Sequence, residues 1–440
     1  MIKTLTSAFK NKDIRKKLLY TLMMLVVIRI GSLLPIPGVD TEYFSTLLSG
    51  FNSGDLSYLS AFTGGSFEKM SLFALSITPY ITSSIIMQLL TIAIPKLEEM
   101  QKEGEDGRKK IASITRYVTI ALALIESIAM AVGFGRQGLI KDYKDMSTIH
   151  YVTCIIVVVA ALTAGSAVLM WIGERITEKG VGNGISIVLL INIISGMPSD
   201  FVTLYSTFVA NKSIARGVTV AVIIAAIVIA VVVLVVILQD GERRIPVQYS
   251  QKVAGRKTIG GQATNIPLKV NTAGVMPIIF ASSIMQFPVI IVQLFTSNSY
   301  EWTKYLSQSY WCRVQMPKYS IGLLLYIILV VVFAYFYTSI TFNPVQIADN
   351  LKKAGGVIPG ITPGKSTSDY LNNILNYIVF VGAVGLLIIA LIPIMCTGFF
   401  NASVSFGGTS VIIIVGVVLE TLKQIESQMV NRYYKGFLSE

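Results

Sequence analysis

Apolar residues in this chain are gathered into long unbroken runs rather than spaced at the short intervals of a soluble core. Ten runs stand out: Leu18–Ile36, Met70–Ile94, Tyr117–Phe134, Tyr151–Ile172, Ile185–Met197, Val218–Leu238, Val275–Phe295, Ile321–Phe342, Ile374–Met395 and Val411–Leu422. A helix needs about 20 apolar residues to cross the hydrocarbon core of a bilayer. The pattern therefore predicts an all-α polytopic membrane protein, its eighth run the clearest and its fifth and tenth short. The first run is a full span with no small-residue cleavage site after it, so no cleavable leader is predicted.

Three intervening stretches depart from plain loop character. Arg243 to Lys269 alternates polar and apolar residues around "AGRK", which predicts a strand, turn and strand. Asn343 to Ser368 forms a second long polar projection. Leu59 to Met70, "LSAFTGGSFEKM", is a short amphipathic piece broken by glycines just before the second run. Non-helical backbone at membrane depth is tolerated only where protein or water surrounds it.

Composition sharpens this picture. The 440 residues are 53% hydrophobic and 14% charged, whereas soluble domains carry about 25% charged residues. With the N-terminus inside and all ten runs crossing, the inner segments hold 26 of the 36 Lys and Arg and the outer loops 9, with Arg29 inside a span. Lys and Arg count in the positive-inside rule, so both termini are predicted to be cytoplasmic. The net charge of +12 then reports topology, not specific nucleic-acid readout. Cys154, Cys312 and Cys396 show no metal or redox spacing and His150 stands alone, so neither metal nor cofactor is predicted.

One stretch imitates a nucleotide loop. "PGITPGKST", Pro359 to Thr367, ends in Gly-Lys-Ser, but a phosphate cradle needs a glycine where Pro359 stands. Pro359 and Pro363 also lack the N–H groups such a cradle uses. Two runs are alike: "GNGISIVLLINI" from Gly182 and "GGTSVIIIVGVVL" from Gly407. Five spans per half would make these cross in opposite directions, as in an inverted repeat, with halves 1–205 and 206–440. At mid-membrane only Arg29 and Glu126 qualify as charged groups. Arg29 either snorkels or faces a wet outer funnel; Glu126 is either a contact in an interface that opens or a structural hydrogen bonder. Ile77, Ile81 and Ile85 share one helical face, as do Ile185 and Leu189. Such stripes serve helix packing or form a hydrophobic constriction. A small-solute secondary transporter with inverted repeats would want a polar site at mid-membrane, and a membrane enzyme would want paired carboxylates or a nucleophile with its base.

Several stretches resemble the bacterial SecY channel family. They are "RIGSLLPIPGVD" (Arg29–Asp40), "ITPYITSSIIMQLL" (Ile77–Leu90), "EGEDGRKKI" (Glu103–Ile111), "WIGERITEKGVGNGISI" (Trp171–Ile187), "PLKVNTAGVMPIIFASS" (Pro267–Ser283), "FNPVQIADNLKKAGGVIPGITPGKST" (Phe342–Thr367) and "FGGTS" (Phe406–Ser410), in family order. The resemblance implies ten transmembrane helices in two pseudo-symmetric inverted halves, a clamshell around an hourglass pore, with a short plug helix and two projecting cytoplasmic loops, 239–272 and 343–369. It implies a pore ring at Ile77, Ile81, Ile185, Leu189, Ile279 and Ile413, and a plug including Phe62, Thr63, Gly64, Gly65, Ser66 and Phe67. It also implies a lateral gate between the second and third spans and the seventh and eighth, at which we place Ser83, Glu126 and Gln286 as polar contacts. The implied function is passage of unfolded secretory proteins and lateral release of membrane helices into the bacterial plasma membrane, without enzymatic chemistry in this chain. The implied partners are SecE, SecG, the SecA motor ATPase, the ribosome, preprotein and signal-peptide substrates, and lipid. Docking would use Arg256 and Lys257 on the first loop and Lys352, Lys353, Thr362 and Lys365 on the second. Thr362 stands where the family usually has arginine, and Lys352 or Lys365 is the expected compensation.

Overall fold

The computed structural model describes residues 9–50, 63–135, 139–140, 147–208, 214–249, 252–254, 257–259, 264–295, 300–313, 316–400 and 408–436. Helices dominate. They are α1 (Lys12–Leu33), α2 (Thr41–Gly50), α3 (Thr78–Ala93), α4 (Pro95–Lys102), α5 (Glu105–Phe134), α6 (Thr148–Lys179), α7 (Gly184–Phe208) and α8 (Ile214–Asp240). After a strand region come α9 (Met276–Phe295), α10 (Thr303–Leu306), α11 (Ile321–Thr341), α12 (Pro344–Lys353), α13 (Lys365–Phe400) and α14 (Gly408–Gly436). Each of the ten predicted runs overlaps one of these helices. Among the described residues five stretches are long and apolar enough to cross a membrane unaided, and a sixth arises if α3 and α4, bent by 101°, count as one.

The second run differs most from expectation. Residues 64–77 are turns except Ser71, which bridges to Pro35, and only the 16 residues from Thr78 are helical. Met70 and Ser76 take positive φ, 40° and 53°, a conformation that breaks a right-handed helix. Pro79 then starts α3 in the first turn, where a missing N–H costs nothing. The broken piece is pinned along α1's exit: Leu72 N donates to the Leu34 carbonyl (2.9 Å) and Ile36 N to the Met70 carbonyl (3.1 Å).

The predicted strands form. β1 (Glu242–Tyr249) pairs antiparallel with β4 (Thr264–Lys269) from Glu242↔Lys269 to Val247↔Thr264, and β2 (Lys252–Ala254) pairs with β3 (Lys257–Ile259). The second projection is not a separate loop, because α12 and β5 (Gly356–Val357) are built into it and β5 joins β1 at Gln248↔Val357 and Tyr249↔Gly356. Asn343 caps α12 by accepting from Val345 N (3.1 Å) and Gln346 N (3.2 Å), as a good N-cap does. A shared apolar core of Ile245, Val247, Leu268, Leu351, Ile358 and Leu371 fastens both projections to the start of α13. On the same basic face, Lys423 of α14 donates to Asp240 of α8 (2.7 Å) and Lys17 of α1 to Gln428 of α14 (3.2 Å).

Candidate functional site

All six sequence-predicted ring residues fall in one apolar cluster. Ile77, Leu189, Ile279 and Ile413 are buried in it, and Ile81 and Ile185 pack against it half-buried. They come from α3, α7, α9 and α14, elements drawn from both ends of the chain. Local structure sets their positions. Ile77 is the N-cap of α3, and Ile81 N donates to its carbonyl (3.1 Å). At the start of α7, Ile185 N donates to Asn183 Oδ1 (3.1 Å) and Gly184 N to Thr177 Oγ1 (2.9 Å). A Cβ on Gly184 would overlap the Gly173 carbonyl oxygen, so α6 and α7 approach as closely as backbones can. Ile85 joins the same cluster. Five of the six predicted ring residues are β-branched isoleucines, stiff at χ1, and none of the six side chains offers a hydrogen bond.

Next to the waist lies the glycine-broken segment. Phe62 is outside the described residues. Thr63 and Ser66 are buried, and Gly64 and Gly65 have φ of 63° and 77°. Phe67 is buried edge-on against Phe44 of α2 (5.9 Å) and Phe134 of α5 (6.4 Å). A second apolar cluster, with Met70, Leu75, Met130 and Leu162, surrounds it.

Arg29 does not simply reach for water. Its Nη1 donates to Ser195 Oγ (2.9 Å) on α7, and that hydroxyl donates to the Asn192 carbonyl (2.7 Å) and lies 3.4 Å from the Gly64 carbonyl. Asn192 Nδ2 donates to Ser76 Oγ (3.0 Å). This polar array escaped the sequence reading: Asn192 and Ser195 look like ordinary small polar interruptions of an apolar run, and nothing local says what they face.

The residues assigned to the gate are placed differently from one another. Ser83 is fully buried and donates to the Thr115 carbonyl (2.8 Å), which ties α3 to α5. Glu126 is half-buried on α5 and Gln286 buried on α9, and these two helices touch. Also unforeseen is an ion pair from Arg116 Nε to Glu174 (2.6 Å) between α5 and α6.

Of the residues expected to dock partners, Arg256 is outside the described residues and Lys257 lies on β3. Lys352, Lys353, Thr362 and Lys365 are all exposed. Thr367 Oγ1 donates to the Thr362 carbonyl (2.9 Å), and Gly360 and Gly364 take φ of 81° and 107°. The opening into α13 is thus a folded turn and not a phosphate cradle. Among the described residues no cluster of His, Cys, Asp and Glu could hold a metal.

Known proteins agree with this geometry. The SecY family model matches residues 71–422. The protein translocase subunits SecY of Halalkalibacterium halodurans and Bacillus subtilis are each 41% identical to this chain over 447 and 445 residues, covering 100% of both chains in each pair. The corresponding subunit of Streptomyces galbus is 42% identical, with the same full coverage. Among solved structures, a protein-conducting channel superposes with a TM-score of 0.60 at 18% identity, covering 94% of this chain and 93% of its own. A SecY structure whose plug domain is described as stabilising the closed state and maintaining a membrane seal gives 0.61 at 17% identity, covering 94% and 92%. The helices, their order and the sequence over its whole length place the chain in one family: it belongs to the SecY family.

Proposed function

We propose that the apolar waist is the conduit of this translocase subunit, passing unfolded secretory proteins across the membrane, and that the contact of α5 with α9 belongs to a gate through which apolar helices leave for lipid. What supports this is the meeting of Ile77, Ile81, Ile185, Leu189, Ile279 and Ile413 in one cluster from four helices. A constriction that excludes water by being apolar can seal a resting pore and still fit many sequences. SecY-family chains are channel subunits, not enzymes, so the driving energy comes from a partner.

The chain is read as two halves, 1–205 and 206–440, hinged around the waist, with 63–67 as part of the plug. The basic face is cytoplasmic by its excess of Lys and Arg, with both termini on that side of a bacterial plasma membrane. There, the sheet of β4, β1 and β5, with Lys352, Lys353 and Lys365, receives the SecA motor or the ribosome. SecE and SecG complete the complex. A solved canine Sec61 channel is a ribosome–channel complex and a yeast Ssh1 complex is bound to a ribosome, which supports a large cytoplasmic partner. The test is reconstitution with SecE and SecG in lipid vesicles. ATP and SecA should drive a preprotein into a protease-protected state, and the added presence of a small solute gradient should have no effect. Solute uptake with no protection of preprotein would overturn the reading in favour of a transporter.

A further inference from the structure

One turn of α7 touches the segment 64–76 at both ends. At the near end, Ser195 Oγ lies 3.4 Å from the Gly64 carbonyl. The fit there is tight enough to require glycine: a Cβ on Gly64 would stand 2.6 Å from Ser195 Oγ and 2.8 Å from the Asn192 carbonyl oxygen, and its φ is 63°. At the far end, Asn192 Nδ2 donates to Ser76 Oγ (3.0 Å), at a residue whose own φ is 53°. Asn192 and Ser195 are three residues apart, so they project from the same face of the helix. Arg29 orients this pair, since its guanidinium donates to Ser195 Oγ and leaves the single hydroxyl proton to the Asn192 carbonyl, with the Gly64 carbonyl as a longer second acceptor.

We propose that Asn192 and Ser195 are positioning residues that clasp the two ends of the 64–76 segment in the resting channel, with Arg29 holding Ser195 in register. The proposal rests on the reading of this segment as the plug. Its energetic logic is local. The segment cannot move outward without giving up both contacts, whereas Asn192 and Ser195 stay on α7 and Arg29 on α1. Phe67, packed on Phe44 and Phe134, supplies apolar attachment, and the clasp supplies direction. A chain entering the waist beside Leu189, which lies on the same helix, would displace the segment from the end nearest Ser76.

The experiment compares Ser195→Ala, Asn192→Leu and Ser195→Thr with the parent, each reconstituted with SecE and SecG in planar bilayers and in export-competent vesicles. Two quantities are read: resting potassium chloride conductance, and ATP-driven transport of a preprotein whose signal segment carries a charge in its apolar core. Loss of the Asn192–Ser76 hydrogen bond should raise the released fraction, and with it the resting conductance, about fivefold, and loss of the longer Ser195–Gly64 contact should raise it by less. Asn192→Leu should show the larger rise and Ser195→Ala the smaller, and both should transport the defective preprotein. Ser195→Thr, which keeps the hydroxyl, should stay near the parent. A role in folding alone would lower thermal stability and yield without opening the resting channel, and that result overturns the clasp. So does parental conductance in both loss-of-contact variants. A channel lacking residues 63–67 separates the two readings: if it leaks while Ser195→Ala and Asn192→Leu do not, the clasp fails and the plug stands. If it holds ions as the parent does, both fail.

Discussion

Replacing Gly165 by alanine should loosen the segment between plug and waist. Gly165 lies on α6 directly against Leu72: a Cβ there would overlap the Leu72 carbonyl oxygen and stand 2.9 Å from its carbon. The obstacle is backbone, so no side-chain rotation relieves it. Nor has the backbone room to retreat. Leu72 N is bonded to the Leu34 carbonyl (2.9 Å), Ser71 N to the Ser66 carbonyl (3.0 Å), and the Phe73 ring fills the space over Gly31. Overpacking of this kind costs about 1–3 kcal/mol, and the fixed backbone puts Gly165→Ala at the upper end. At about 2 °C per kcal/mol for a large chain, the melting temperature should fall by about 4–6 °C. The assay is thermal unfolding in detergent with a thiol-reactive dye, reading Cys154, Cys312 and Cys396, all free and partly shielded. Gly196→Ala is the control. It sits in α7 with nothing within 4 Å of its Cβ position, so alanine should leave stability unchanged or raise it through helix propensity. Equal melting temperatures for Gly165→Ala and the parent would refute the close packing of α6 on this segment.

Three further outcomes are expected. Glu126→Leu replaces a half-buried carboxyl group on α5, a helix that touches α9, by an apolar residue and should favour the closed gate, giving a several-fold drop in export of a preprotein with a marginal signal segment; unchanged export would refute a gating role. Lys365→Glu reverses an exposed charge beside Thr362 and should weaken SecA binding by about fivefold or less, as for a surface pair, with the effect shrinking as salt rises; parental binding would remove Lys365 as the substitute for the family's arginine. Cys312 lies in the segment between α9 and α11, on the face predicted to be external, and burial raises its thiol pKa above the ordinary value. Its thiolate fraction at neutral pH is therefore below that of a free cysteine. A membrane-impermeant maleimide should label it from the outside only, slowly near neutrality and faster as the pH rises; labelling from the cytoplasmic face would invert the topology.

The helices were legible because the bilayer imposes a length on every apolar run, and each of the ten runs found its helix. Break points were less so. Met70–Ile94 is apolar enough to read as one span, and only the positive φ at Met70 and Ser76 ends the helical path; neither residue type announces that conformation. The strand pair around "AGRK" was visible from alternation, but its union with β5 was not, because a two-residue strand has no period of its own. For the site, the isoleucine stripes on α3 and α7 could be seen locally, while their meeting with Ile279 and Ile413 depends on contacts between residues far apart in the chain. The polar array of Arg29, Ser76, Asn192 and Ser195 is the same problem with polar residues: four scattered positions whose pairing exists only in three dimensions.

Crosslinking decides most directly whether the waist is the conduit. Photoreactive residues placed at Ile81 and at Ile413, with Ile229 as a control on the exposed face of α8, should be tested against a secretory chain stalled during ATP-driven transport in vesicles. Crosslinks to the chain from Ile81 and Ile413, with none from Ile229, are the predicted result. Transport that proceeds with no crosslink from either waist position would contradict it.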